Sequence, residues 1–278
     1  VNNKESFLEI SPSKTTPRFC GIINVTPDSF SDGGKYIDSE IAISKIHEFK
    51  QHNFEFVDIG ADSTRPGSKC VGSDVEIKRI KDIAPKVSSI IDWSIDTHNL
   101  KTAEYALSIG ARIINDITGG SPEMFSLAAK NSAKIICMFS AFNNDPHMEK
   151  SAKKIEINRL LDEINIFWNL KKQIAKQEGL DSKNMILDPG MGAFLGQNSN
   201  LSLKAVNMLV ELTNISELFV GISRKGFLKV FGAESIKERD YLSAAIVNFI
   251  SNRSQISSKI IWRVHEYFLH NLIAKSVY

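Results

Sequence analysis

The chain has little that would cross-link it and nothing that would carry it into a membrane. Its three cysteines stand far apart, at Cys20, Cys70 and Cys137. An odd count with no Cys-x-x-Cys pair gives no disulfide framework and points to a reducing compartment, the cytoplasm. No apolar run approaches the ~18 residues that span a bilayer. The opening segment VNNKESFLEISPSKTTPRF has no apolar core of the signal-peptide kind. Charge of one sign is also missing: 34 Lys+Arg stand against 32 Asp+Glu, a net +2. So small a surplus argues against a nucleic-acid partner, which needs a concentrated basic face, but leaves room for a local phosphate site. No His-Glu-x-x-His or Cys/His cluster occurs, so catalytic zinc is not expected.

What is present reads as a globular enzyme-sized unit. The 278 residues are 42% apolar and 24% charged, close to the globular average. Eight short apolar runs recur: 19–25, 54–60, 93–96, 111–117, 133–139, 184–188, 218–223 and 259–264. They are rich in Ile and Val and nearly continuous, as strands buried on both faces are. Helix-like segments lie between them at 39–52, 74–91, 98–109, 122–131, 151–178, 199–212, 239–253 and 266–276. Eight strands alternating with eight helices predict an α/β fold, a single-domain (β/α)8 TIM barrel over 19–278, with 1–18 as an arm or short strand. A doubly wound open sheet is the competitor. Against it, no Gly-x-Gly-x-x-Gly follows the first run, and no Gly-x-x-x-x-Gly-Lys-[Ser/Thr] loop occurs. Connections 26–38 and 61–73 are long and contain Gly, Pro and Ser, which marks them as functional loops.

In such barrels the working residues stand at the carboxyl ends of the strands. Those ends carry Asn24, Asp58, Asp96, Asn115 with Asp116, Met138, Asp188, Ser223 with Arg224 and Lys225, and Arg263 with His265. Asp96, Asn115 and Asp188 supply acceptors and one amide, a set suited to a flat heterocycle with adjacent N–H donors. Lys225, Arg263 and His265 follow the last two strands, where this fold often builds a phosphate site. Asn24 is a neutral oxygen ligand suited to a Mg²⁺ that keeps most of its waters.

Each of these has a structural alternative. Asp96 could cap the next helix, Asp188-Pro189-Gly190 could be only a turn, and Asn115-Asp116 could close a strand through local backbone bonds. Arg224 reads equally as an ion-pair residue, because Ser223 and Lys225 share the opposite face. Asp58, inside its run, reads equally as a packing residue.

The same residues carry a family resemblance from about residue 19 to 276. Asn24-Val25-Thr26-Pro27-Asp28-Ser29-Phe30-Ser31-Asp32-Gly33-Gly34 resembles the signature loop of the dihydropteroate synthases, pterin-binding barrel enzymes of folate biosynthesis. So do Asp58-Ile59-Gly60 with Ser63-Thr64-Arg65-Pro66-Gly67, then Ser94-Ile95-Asp96-Thr97, Ile114-Asn115-Asp116, Asp188-Pro189-Gly190, Ser223-Arg224-Lys225 and Arg263-Val264-His265, in family order.

The resemblance implies a transferase joining (7,8-dihydropterin-6-yl)methyl diphosphate to 4-aminobenzoate through a dissociative, SN1-like step that releases pyrophosphate. It implies that Asp96, Asn115, Met138, Asp188 and Lys225 hold the pterin. Asn24, Thr64, Arg263 and His265 would meet the diphosphate, with Mg²⁺ at Asn24. Phe30, Arg65, Pro66, Phe194, Ser223 and Lys225 would form the aminobenzoate pocket, and Lys225, Asp96, Thr64 and Arg65 would carry catalysis. Sulfonamides would compete there, and a homodimer is implied.

The segment Met191-Gly192-Ala193-Phe194-Leu195 departs from the commoner family pattern and resembles a branch that includes sulfonamide-insensitive members. The Ser-Thr-Arg-Pro-Gly loop resembles the drug-sensitive type, and Phe139 stands where many members have His. Two other readings are a corrinoid-linked methyltransferase barrel, which has no use for Lys225, Arg263, His265 and Thr64-Arg65, and a paralogue that binds pterin without turnover.

Overall fold

The structure, a computed structural model, describes residues 17–25, 35–62, 71–142, 145–147, 151–253 and 257–266. Eight strands, β1 (Arg18–Asn24), β2 (Phe56–Gly60), β3 (Trp93–Asp96), β4 (Ile113–Asp116), β5 (Lys134–Met138), β6 (Met185–Asp188), β7 (Leu218–Val220) and β8 (Ile260–Val264), pair in sequence order. Every pair is parallel, and β8 returns to β1 to close the barrel. The described helices are α1 (Lys35–Gln51), α2 (Ser73–Ile80), α3 (Ala84–Ser88), α4 (Leu100–Ser108), α5 (Pro122–Lys130), α6 (Leu160–Gln177), α7 (Ser199–Asn207), α8 (Leu209–Leu212) and α9 (Ile236–Arg253).

The eight expected strands are all present, within two or three residues of their expected limits. Several helices differ. The span 74–91 divides into α2 and α3 because Pro85 stands in the first turn of α3. Proline has no amide to extend the ladder, and its ring crowds the carbonyl one turn back. Residues 151–156 are not helical, and a 3₁₀ turn at Ile157–Arg159 leads into α6. The span 199–212 divides into α7 and α8 at Met208. Strand β7 stops at Val220, short of the expected 223. The amide of Lys225 donates to the Ile222 carbonyl at 3.2 Å, so the chain leaves the sheet in a turn. The expected last helix and most of the amino-terminal arm lie outside the described residues.

Alternate residues of a strand face opposite sides, and the barrel separates them. Val57, Ile59, Ile95, Ile114, Ile135, Leu187, Val220 and Trp262 point outward into the core shared with the helices. The facing helices present matching stripes: α6 buries Leu160, Ile164, Trp168, Lys171 and Ala175. Helix α1 packs so closely on β1 that a Cβ on Gly21 would overlap the Phe49 ring.

Inside the barrel, Cys20, Phe56, Ile113, Ile136, Ile186, Phe219 and Ile261 form a separate apolar cluster. The rings of Phe56 and Phe219 stack across it, with centroids 6.0 Å apart. Burying each such side chain contributes about 1.5–3 kcal/mol. This cluster is a solid floor. Below it, at the amino ends of the strands, Arg18 is held by Glu55 at 2.6 and 2.7 Å and by Glu217.

Candidate active site

Two residues further up four of these strands, the inner face changes character. Phe56 is followed on that face by Asp58, Ile113 by Asn115, Ile186 by Asp188 and Ile261 by Arg263. Strand register sets them at common heights: Asp58 pairs with Ser94, Asp96 with Asn115, and Met138 with Asp188. The floor thus carries a ring of polar groups at the carboxyl end of the barrel.

Asp58 is fully buried and ties β2 to three other strands. One carboxylate oxygen accepts from Arg263 Nε at 2.7 Å and from Asn115 Nδ2 at 2.9 Å. The other accepts from the Ser94 hydroxyl. Arg263 also donates through Nη2 to Asp96 Oδ2 at 2.9 Å. One guanidinium therefore bridges two carboxylates. Burial pulls its pKa down, but Asp58 and Asp96 together hold it above the ordinary arginine value.

Asp96 is pushed up to about 7 by burial and by the charge of Asp58, against the opposing pull of Arg263. It does not cap α4, whose preceding residue Asn99 takes that place. Asn24 stands beside it. A Cβ on Gly60 would meet Asn24 Oδ1 at 3.3 Å and Asp96 Oδ2 at 3.7 Å, so the absent side chain of Gly60 leaves these oxygens adjoining space.

Across the mouth, Asp188 is buried, and burial raises its pKa against the counter-pull of Lys225. It does form the turn expected as the alternative: Oδ1 accepts from the Gly190 amide at 2.8 Å. Gly190 has φ 72, and a Cβ there would overlap the Phe139 carbonyl, so only glycine fits. Lys225 lies over Gly192, its Nζ donating to the Met191 carbonyl at 3.2 Å and standing 5.8 Å from the Phe194 ring centroid. Burial lowers its pKa to about 8, with Asp188 opposing the shift. A partly buried amine with a lowered pKa sits beside a buried carboxylate.

Strand ends β7 and β8 meet through Ser223 and His265, whose Oγ and Nδ1 are 3.0 Å apart. Arg263 and His265, two apart in sequence and so on one face of a regular strand, turn apart in the structure. Arg263 turns to the acidic side, while His265, beyond the last residue of β8, turns to Ser223. Arg224 faces away and pairs with Asp240 and Glu266. Met138 is buried in register with Asp188. Phe30, Thr64, Arg65 and Pro66 lie outside the described residues.

Two supports were not legible beforehand. Glu76 of α2 is fully buried. It accepts from Thr97 Oγ1 at 3.0 Å, Asn99 Nδ2 at 2.7 Å and Thr102 Oγ1 at 2.6 Å, bracing the corner that follows Asp96. Lys171 sits in the apolar stripe of α6 and donates to the Gly120 carbonyl at 2.6 Å, while Asp116 accepts from the Thr118 amide and hydroxyl. Together they brace the corner that follows Asn115. Glu76 gave no sequence signal, since a carboxylate on a polar helix reads as solvated. The signal for Lys171 was its phase with Leu160, Ile164 and Trp168.

A mouth lined by Asp96, Asn115 and Asp188, with Lys225 and Arg263 beside them, accepts ring N–H donors and offers cations to an anionic substituent. This chemistry agrees with comparison to known proteins. Residues 20–254 match the family described as pterin binding enzyme. A dihydropteroate synthase of Clostridium beijerinckii is 35% identical over 224 residues, covering 79% of this chain and 78% of that protein. The crystal structure of dihydropteroate synthase from Anaplasma phagocytophilum with bound 6-hydroxymethylpterin-monophosphate superposes with a TM-score of 0.80 at 32% identity, over 94% of this chain and 98% of that one. The Xanthomonas albilineans dihydropteroate synthase with 4-aminobenzoic acid gives 0.78 at 25%, over 94% and 91%. The fold and site define a pterin-binding barrel enzyme. The chain belongs to the dihydropteroate synthases, transferases of folate biosynthesis.

Proposed function

We propose that this chain condenses (7,8-dihydropterin-6-yl)methyl diphosphate with 4-aminobenzoate by a dissociative route. The observation that carries the reading is the Asp58–Arg263–Asp96 bridge facing the Asp188–Lys225 pair across one mouth. Asp96, Asn115 and Asp188 accept from the donor edge of the pterin, Lys225 donates to its acceptor edge, and Met138 packs on its face. As the diphosphate leaves, positive charge spreads over the exocyclic methylene and the ring. The fixed carboxylates stabilise that cation, while Arg263 and His265 stabilise the departing anion. This is electrostatic preorganisation and needs no covalent nucleophile. The aminobenzoate nitrogen then attacks in a pocket of Phe30, Arg65, Pro66, Phe194, Ser223 and the stem of Lys225, with Thr64 on the diphosphate. Closure of that pocket excludes water, which would otherwise capture the cation. Sulfonamides, which share the aniline, compete for the same pocket.

Asn24 would hold Mg²⁺. The donor set fits: one neutral amide oxygen with the Asp96 carboxylate nearby suits a hard cation that keeps several waters and reaches the protein through substrate phosphate. When bound, the ion neutralises charge on the diphosphate.

The active form is a homodimer in the cytoplasm. An apolar groove of about 700 Å³ runs between α7, α8 and α9, lined by Leu203, Val206, Val210, Phe231, Ile246 and Phe249. Val210, Phe231 and Phe249 are each at least half exposed there and offer apolar side chains to a second copy. Sedimentation at micromolar concentration tests the dimer.

The reaction is tested by pyrophosphate release that requires both substrates and Mg²⁺. Release with both present supports the reading. Tight pterin binding without release, or methyl transfer from a methylated folate, would replace it with one of the other two readings.

A further inference from the structure

The turn after β7 contains an unusual residue. Arg224 has φ 62, in the left-handed region that side-chain-bearing residues avoid. The other non-glycine residues of this kind among the described ones, Asn53 and Ser132, sit in turns directly after helices and have short polar side chains. Arginine has no such excuse, so its conformation needs external support.

That support is visible. Arg224 Nε donates to both oxygens of Asp240 at 2.9 and 3.0 Å, and Nη2 lies 2.9 Å from Asp240 and 2.9 Å from Glu266. Asp240 belongs to α9 and is nearly buried, while Glu266 follows β8 and also faces Lys45 of α1 at 3.7 Å. The Arg224 carbonyl accepts from Arg239 Nε at 3.2 Å. Side chain and backbone of one residue are thus tied to the helix behind the turn and to the neighbouring strand end. Its two sequence neighbours, Ser223 and Lys225, point the other way, onto His265 and Met191.

We propose that Arg224 is a positioning residue: its guanidinium, forked between Asp240 and Glu266, holds the 222–225 turn in the left-handed bend that aims Lys225 and Ser223 into the mouth. The inference deepens the proposed reaction and rests on Lys225 serving the pterin. Arg224 itself touches no reacting atom. It acts by fixing where a neighbouring amine stands, and a displacement of about 1 Å in such a group lowers rate by up to ~100-fold.

Three variants test this. Arg224→Gly removes the fork while glycine tolerates the bend, Asp240→Asn removes one anchor, and Arg224→Lys keeps charge but loses the fork. The account expects Arg224→Gly to stay folded by circular dichroism and to lose ~10- to 100-fold in kcat/KM for the pterin substrate. Asp240→Asn should lose less, and Arg224→Lys should recover part of the loss. A second readout needs no turnover. Lys225, whose pKa burial lowers to about 8, should titrate there in the parent chain by NMR of its labelled amine and move towards the ordinary lysine value in Arg224→Gly. Unchanged kcat/KM together with an unmoved Lys225 titration would overturn the proposal, as would a loss of rate that follows loss of folded protein in every variant. Absence of pyrophosphate release by the parent chain would instead remove the proposed reaction and leave the Lys225 titration as the test of positioning.

Discussion

The lower and upper halves of the barrel interior are built from the same strands, two residues apart, and follow opposite rules. Below, seven side chains from Cys20 to Ile261 fill the space with apolar volume. Above, Asp58, Asp96, Asn115, Asp188 and Arg263 bring charge and hydrogen-bonding groups into a place where neither is cheap. Burying a carboxylate costs several kcal/mol unless it is paired and hydrogen-bonded. The pairing here is partial. Arg263 satisfies Asp58 and Asp96, yet Asp96 remains shifted to about 7 and Lys225 to about 8. The lower half has relaxed to its best arrangement. The upper half is held in an arrangement that a ligand with the complementary edge would complete.

The sharpest contrast comes from truncating one residue in each half. Phe219→Ala should destabilise the fold by about 4 kcal/mol, since it opens a cavity in the floor. The turnover of the remaining folded molecules should be unchanged. Asp58→Ala should cost about 3 kcal/mol, because Arg263 and Asn115 lose their shared acceptor. It should also lower kcat/KM, as both partners are proposed to hold substrate. Chemical denaturation and steady-state kinetics on both variants check this pair. Loss of turnover in folded Phe219→Ala, or full activity in Asp58→Ala, would break the division between the halves.

Lys225→Ala and Asp96→Ala should each lower kcat/KM by ~100-fold or more, about 2.7 kcal/mol of transition-state stabilisation. Lys225→Ala should leave the melting temperature unchanged or higher, since burial works against the charged amine, whereas Asp96→Ala should lower it, because Arg263 loses one of its two carboxylate partners. Near-normal kinetics in either variant would remove its assigned role.

The smallest effect is in pH dependence. In the proposed mechanism Asp96 acts ionised, so kcat/KM should rise as pH passes about 7 and fall as Lys225 loses its proton through about 8. Asp96→Asn should flatten the acid limb. The stability of the free protein moves the other way. A carboxyl with a raised folded pKa favours its protonated form in the fold, so its contribution is present at acid pH and lost as pH rises towards 7. Asp96→Asn should reduce that decline, readable in denaturation midpoints from pH 5 to 8.

Much of this division was legible in the sequence. The continuous Ile/Val runs located all eight strands, and polar residues at their ends located the mouth. Asp58 could not be placed, because one charge inside an apolar run reads equally as site or scaffold; the structure makes it the bolt between Asn115 and Arg263. Pro85 was a readable signal for the break between α2 and α3, and the single helix-like span 74–91 took no account of it. Glu76 was invisible, because its partners Thr97, Asn99 and Thr102 approach only when α2 packs beside α4. Local pattern marks which residues are unusual. It does not say which of them face one another across a closed barrel.

The most direct test is a crystal structure of the chain with the dihydropterin diphosphate bound. The account places the ring between Asp96, Asn115 and Asp188 with Lys225 on its acceptor edge, and the diphosphate beside Asn24, Arg263 and His265. A ring bound outside those three acceptors, or a diphosphate directed away from Arg263, would contradict it.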